Sequence, residues 1–170
     1  ALALTACLYH VASHALFKSL LFLGTGSVLH ATGERNLGKL GGLIRCMPWV
    51  AWFTLIGVLA SAGLPPFSGF VSEWLLLQSF LFTPGLPHPV LNMLIPVVAA
   101  LIALIAALAG YTMVKFFGVI FLGQPREDKL AQARDAGHWE RAGMLWLVLG
   151  CVALGLLPNQ FIQLIDPVTR

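Results

Sequence analysis

At 170 residues, 58% hydrophobic and only 10% charged, with a mean hydropathy of +0.86, the chain lies far from the composition of a water-soluble domain, where about a quarter of residues carry charge. No water-soluble fold of this size can hide so much apolar surface, whereas a bilayer accepts it, so one all-α polytopic transmembrane helix bundle is expected rather than several domains. The net charge of +3 does not indicate nucleic acid, because the cations are scattered without a basic run; Cys7, Cys46 and Cys151 lie far apart and show no C-x-x-C or His/Cys spacing, so neither a disulfide framework nor a metal site is indicated, and no cofactor is expected.

The chain opens on Ala-Leu-Ala-Leu-Thr, without an initiator Met or a basic leader, and reads as a piece of a longer protein. A signal peptide does not fit, since the apolar stretch from Leu2 to Leu29 is too long for one and carries Lys18 in its middle. The spans predicted from hydropathy are 4–29, 47–82, 90–122 and 142–157, compared with the roughly 20 residues a crossing helix needs. The second is too long for one helix, and Gly63-Leu64-Pro65-Pro66-Phe67-Ser68-Gly69 interrupts it. Pro65 and Pro66 remove two amide donors, while Gly63 and Gly69 permit unusual dihedrals, so a broken helix is expected at 63–69 with Ser68 capping its second half.

Between the spans, Ala31 to Arg45 carries Arg35, Lys39 and Arg45, and Gln124 to Arg141 carries Arg126, Lys129, Arg134 and Arg141, while the loop Thr83 to Pro89 carries no cation. Two crossings separate the basic loops, which therefore belong on one side, the cytoplasmic one by the positive-inside rule. The segment 124–140 reads as a short solvated connector, and the tail from Asn159 as an outward-facing end. Small residues at Ala99, Ala103, Ala106, Ala107 and Gly110 predict close packing of the third span, in lipid, against a neighbouring helix or a partner subunit.

Only Lys18, Glu73 and Lys115 place a charge inside the apolar segments. Each costs at least about 3 kcal/mol on insertion scales, so such residues usually face a protein interior or a wet cavity and mark ion pathways. His10, His14 and Lys18 recur every four residues and share one helical face with Thr25; successive members are about 6 Å apart along the axis, a gap that one water bridges. Imidazole accepts and releases protons near neutrality, so the stripe can relay protons; hydrogen bonding to neighbouring helices is the alternative. Glu73 lies just beyond the break, near the positive end of the second half-helix, where a carboxyl can exchange a proton or form a structural ion pair. Lys115 stands close enough to a helix end to snorkel to the interface. Zinc on His10 and His14 has no third ligand nearby, and histidines one turn apart cannot hold the two faces of a haem.

The stretch LYHVASHALFKSLLFLGTGSVLHATGERNLGKLGGLIRCMP, followed by LASAGLPPFSGF, resembles the antiporter-like membrane subunits shared by respiratory complex I, Mrp cation/proton antiporters and energy-converting hydrogenases. Its features are the His-x-x-x-His-x-x-x-Lys stripe, the Leu-Gly-Gly-Leu loop ending at Pro48 and the Gly-Leu-Pro-Pro-x-Ser-Gly-Phe break, in that order. FVSEWLLLQSF and YTMVKFFGVIFLGQPRE are most similar to the branch of hydrogenase-4 component B and the formate hydrogenlyase membrane subunit. The resemblance implies that Lys18 and Glu73 are protonatable members of a hydrophilic axis, with His10 and His14 leading toward them. Glu73 takes a place that is lysine in many such subunits. The expected function is a non-catalytic, proton-moving subunit of a bacterial inner-membrane oxidoreductase complex, working with membrane and peripheral partners; a sodium/proton antiporter subunit and a passive anchor are the alternatives.

Overall fold

In the computed structural model, which describes residues 2–82 and 87–169, the chain forms six α-helices and, among the described residues, no strand. They are α1 (Leu2–Thr32), α2 (Pro48–Ser61), α3 (Ser68–Leu81), α4 (Pro89–Phe121), α5 (His138–Leu156) and α6 (Pro158–Thr169). Proline opens α2, α4 and α6, where its fixed φ suits the first turn and its missing N–H is not needed. Three helices, α1, α4 and α5, are long and apolar enough to cross a membrane alone.

The expected break is present, and it divides the 47–82 segment into two helices of 14 residues each, about 21 Å apiece and individually too short to cross. α2 closes through Ala62 N to Val58 O (2.9 Å) and Leu64 N to Leu59 O (3.1 Å), with Gly63 at φ +65. Ser68 does not cap α3: Phe67 is the N-cap, with no side-chain hydrogen bond, and Ser68 is already helical. Its hydroxyl is therefore turned inward instead of toward the orphan amides, and it is fully buried.

α1 runs antiparallel to both halves, as three close approaches show. Gly24 packs on Thr54, Gly57 on Leu20 and Leu21, and His10 on Ser72. The two half-helices scarcely touch each other and share α1 as their common support. α5 covers the other side, with Gly150 against Leu16 and Gly155 against the backbone of Pro66 and Phe67 in the break. Phe17, Leu20, Val50, Val58, Met144 and Cys151 form the buried centre. In lipid these contacts stabilise by close packing rather than by removal from water, so the glycines that let backbones approach matter most.

Of the two contacts expected of the small-residue stripe of α4, the one with a neighbouring helix is not made among the described residues of this chain. The most apolar stretch of α4 has no buried residue, Gly110 faces open space, and the helix joins the core near its end, through buried Phe117, Ile120 and Phe121 with Met113 and Phe116 packed beside them. The close approaches lie at Gly24, Gly57, Gly69, Gly150 and Gly155 instead. The tail forms α6, which packs on α1 and α5, with Phe161, Ile162 and Ile165 half-buried. The loop expected at Thr83 to Pro89 falls partly outside the described residues, at 83–86.

The two basic segments meet at one end of the bundle. Gly42 N donates to Leu122 O (2.9 Å), and Arg126 Nη1 donates to Gly38 O (2.9 Å). Glu34 pairs with Lys129 (3.1 Å) and Lys39 (3.7 Å), and both lysines also pair with Glu127. Asp135 caps α2 from far along the sequence, accepting from Trp49 N (3.0 Å) and Val50 N (3.4 Å). The 124–140 connector is thus docked rather than merely solvated, with Leu130 buried and a short 3-10 turn at Asp128–Gln132.

Candidate functional site

His10 sits on α1 with its Nδ1 3.0 Å from Ser72 Oγ, and Ser72 Oγ donates to Gly69 O at 2.8 Å. A hydroxyl has one hydrogen. Since Ser72 spends it on Gly69 O, the imidazole must be the donor, which fixes the Nδ1–H tautomer when His10 is neutral and leaves Nε2 as the proton acceptor. His14 follows one turn later, its ring centroid 6.0 Å from that of His10 and 5.2 Å, edge-on, from Phe17. Lys18, half-buried, lies against a cavity of about 170 Å³ bordered by Leu21, Phe22, Thr25, Met113 and Phe116. The face shared by His10, His14, Lys18 and Thr25 therefore joins the break region at one end and a void beside α4 at the other.

Glu73 folds back over the break. Its carboxylate lies on the Cα of Gly63, so close that a β-carbon there would overlap it. Gly63 thus serves twice, adopting a left-handed backbone and leaving room for the carboxyl. Among the described residues Glu73 has no cation, and Lys18 no carboxylate, within ion-pair distance. Gly69 approaches the carbonyl of Ala60 where any side chain would collide, which locks the start of α3 against the end of α2. Lys115 is not brought to this cluster; it is exposed on α4, outside the void that Lys18 borders.

Sequence reading missed the hydroxyls of this seam. Ser13, Thr54 and Ser68 are fully buried, and their oxygens have no hydrogen-bond partner among the described residues. Ser13 is on α1 between His10 and Phe17, and the antiparallel register brings it level with the break and Ser68. Such groups are uncommon in a packed interior and each can join a hydrogen-bonded chain. A signal was present in the sequence: Ser68 and Ser72, one turn apart in an apolar half-helix, mark a polar face toward α1. Tyr9 supplies a further link, its hydroxyl donating to Leu154 O of α5.

Comparison with known proteins agrees with this architecture. The family described as NADH:quinone oxidoreductase/Mrp antiporter, TM, matches residues 1–86, which include the stripe, the break and Glu73. Formate hydrogenlyase subunit 3 of Escherichia coli K12 is 41% identical over 156 residues, covering 92% of this chain and 26% of that protein. Hydrogenase-4 component B of the same organism is 35% identical over 153 residues, covering 90% and 23%. The structure of the membrane-bound sulfane sulfur reductase, an archaeal respiratory membrane complex, contains a chain that superposes with a TM-score of 0.81 at 28% identity, over 97% of this chain and 26% of that one. The chain thus spans about a quarter of the length of the relatives it matches. It is a multi-pass membrane protein that belongs to the NADH:quinone oxidoreductase/Mrp antiporter transmembrane family.

Proposed function

We propose that this chain forms part of a proton-translocating subunit of a hydrogenase- or complex I-like assembly in a bacterial inner membrane, coupled to redox chemistry carried out by partner subunits. The observation that carries the reading is the unpaired Glu73 carboxyl over the break, close to a polar chain running from Gly69 through Ser72 and His10 toward His14 and Lys18. A charge without a counter-ion at this depth is costly as a structural element and useful as an exchange site, since its protonation can change with little rearrangement. In this reading His10, His14 and Lys18 carry the proton along α1, Glu73 exchanges it at the break, and Lys115 is peripheral.

The test is Glu73→Gln in the full-length protein within its complex. Size and hydrogen bonding are kept while titration is lost. The variant should assemble, support redox turnover with soluble acceptors, and fail to move protons in sealed vesicles. Undiminished proton uptake at normal subunit content would remove Glu73 from the path. The family spans redox complexes and cation antiporters alike, so the same vesicles should be assayed with and without sodium; activity that requires sodium would favour a sodium/proton antiporter.

A further inference from the structure

Away from the Glu73 site, at the end of the bundle where the basic loops meet, a polar cavity of about 450 Å³ opens between the end of α1 and the start of α5. Ser27, His30, Gln132, Arg134, Asp135 and Glu140 border it, and its volume falls within the roughly 300–1,000 Å³ of small-molecule sites. Asp135 is taken up by Arg141 and by the first amides of α2. Arg134 and Glu140 are not so engaged: among the described residues neither has an ion pair, and Glu140 accepts only from Ser27 Oγ, at 3.3 Å on one of its two oxygens. The chamber therefore offers one guanidinium and one carboxylate, with the His30 ring and the Gln132 amide beside them. A second cavity, of about 250 Å³, shares Ser27, His30 and Glu140 with the first and continues along α1 past Gly26 to Leu23 and Phe22. Phe22 and Leu23 are exposed, and no atom lies within 4 Å of where a β-carbon on Gly26 would stand. From His30 to Phe22 the helix rises about 12 Å, so an apolar groove leads from the charged chamber toward the middle of a helix long enough to cross a membrane. Trp139, which precedes Glu140, is almost fully exposed, and Trp49 is exposed at the same end, which sets the chamber at headgroup level.

We propose that the joined cavities bind a glycerophospholipid whose headgroup carries both a phosphodiester and a primary ammonium, with the headgroup in the polar chamber and one acyl chain in the groove past Gly26. The two charges of the chamber select such a lipid. Arg134 donates to the phosphate through its planar fork, and Glu140 accepts from the ammonium with the oxygen that Ser27 leaves open. A headgroup with a phosphate alone would set its negative charge beside Glu140 without a donor for it, and a trimethylammonium has no N–H to give. The lipid would tie α1 to α5 and to the connector, whether or not protons move through the subunit.

The test uses the full-length protein in its complex, delipidated in detergent, and a phosphatidylethanolamine carrying a diazirine in one acyl chain. After irradiation, adducts should map to α1 between Phe22 and His30. Unlabelled phosphatidylethanolamine should suppress them at several-fold lower concentration than phosphatidylcholine or phosphatidylglycerol with the same chains, and water-soluble glycerophosphoethanolamine should leave them unchanged. Glu140→Gln should erase the preference for phosphatidylethanolamine over phosphatidylcholine, and Gly26→Leu, which fills the groove, should lower the adduct yield several-fold. Competition in the unsubstituted protein decides the matter even where a variant fails to assemble. An absence of adducts on this stretch, the result if another helix of the assembly covers it, overturns the site. Equal or stronger suppression by either of the other two lipids overturns it as well, and so does a preference retained in an assembled Glu140→Gln complex. Suppression by glycerophosphoethanolamine at the concentration of the lipid would assign the chamber to a free headgroup compound and overturn the lipid.

Discussion

Lys18 and Ser72 illustrate two ways a single side chain can serve this site. Lys18 has to change its protonation to be a carrier, whereas a fixed cation would suffice for a purely electrostatic role. Lys18→Arg separates them, since guanidinium stays protonated at any working pH. We expect Lys18→Arg and Lys18→Met to lose proton movement alike in sealed vesicles while the subunit still assembles; full activity in the arginine variant would make Lys18 a fixed charge. Ser72 acts through orientation, because it sets which nitrogen of His10 faces the stripe. Ser72→Ala removes that constraint at a cost of about 1 kcal/mol for the lost hydrogen bond. The His10 ring signals in a nitrogen-15 spectrum should then shift from the Nδ1–H form toward a mixture of tautomers, with proton uptake reduced rather than abolished.

At the scale of helices, the sequence carried the break, the stripe and the ends of the apolar segments, because proline, glycine and charge in apolar runs have local physical consequences. It did not carry which small residues touch. The alanines of α4 and the glycines of α1, α2 and α5 satisfy the same spacing rule, and only the relative placement of helices decides between them. Nor did it carry the cap of α2, since Asp135 is remote in sequence from Trp49 and Val50. α6 was legible in principle, from Pro158 followed by apolar residues at helical spacing, but it is too short and polar to register as a span. Two substitutions test these contacts. Asp135→Ala should destabilise the bundle by about 0.5–2 kcal/mol through the lost cap, measured as a lower melting temperature in detergent, with Asp135→Asn recovering part. Gly63→Ala should displace the Glu73 carboxyl and strain a left-handed residue by about 1–2 kcal/mol. Proton movement should fall as far as in Glu73→Gln, although the carboxyl itself is retained.

Over the whole molecule, the joined loops form an ionic clasp whose response to pH has a definite sign. The amide of Asn36 and the ammonium of Lys129 hold the Glu34 carboxyl down to about 2, against an ordinary value of 4.5. Hydrogen bonding to Lys129 also lowers Glu127, and the two carboxylates in turn raise Lys129. A carboxyl depressed in the folded state stabilises that state above its ordinary value, and the contribution fades as pH falls through the folded one. The clasp should therefore resist pepsin at pH 4.5 and open as pH approaches 2, whereas Glu34→Gln should be cut throughout that interval. The clasp also gives a topology test. Because both loops sit at one end, Cys46, beside the first, should react with an impermeant thiol reagent from the cytoplasmic face alone; labelling from outside intact cells would invert the orientation.

α5 and the loop before it touch α2 at its beginning and the break just past its end: Asp135 holds the first amides of α2, and Gly155 is pressed against Pro66 and Phe67. The assembly works as a splint. A rod bound at both ends to a neighbour cannot slide as a piston or swing on its own, so α2 and α5 must travel together. Gly69 tightens the joint from the far side, where no side chain would fit beside Ala60. The joint holds the start of α3 as well, through its N-cap Phe67 and Gly69, so motion that opens the site is left to the rest of α3, turning against α1 past the His10 and Ser72 contact. A cross-link joining α5 to α2 should be silent in proton transport, while one joining α1 to α3 near Ser72 should arrest it.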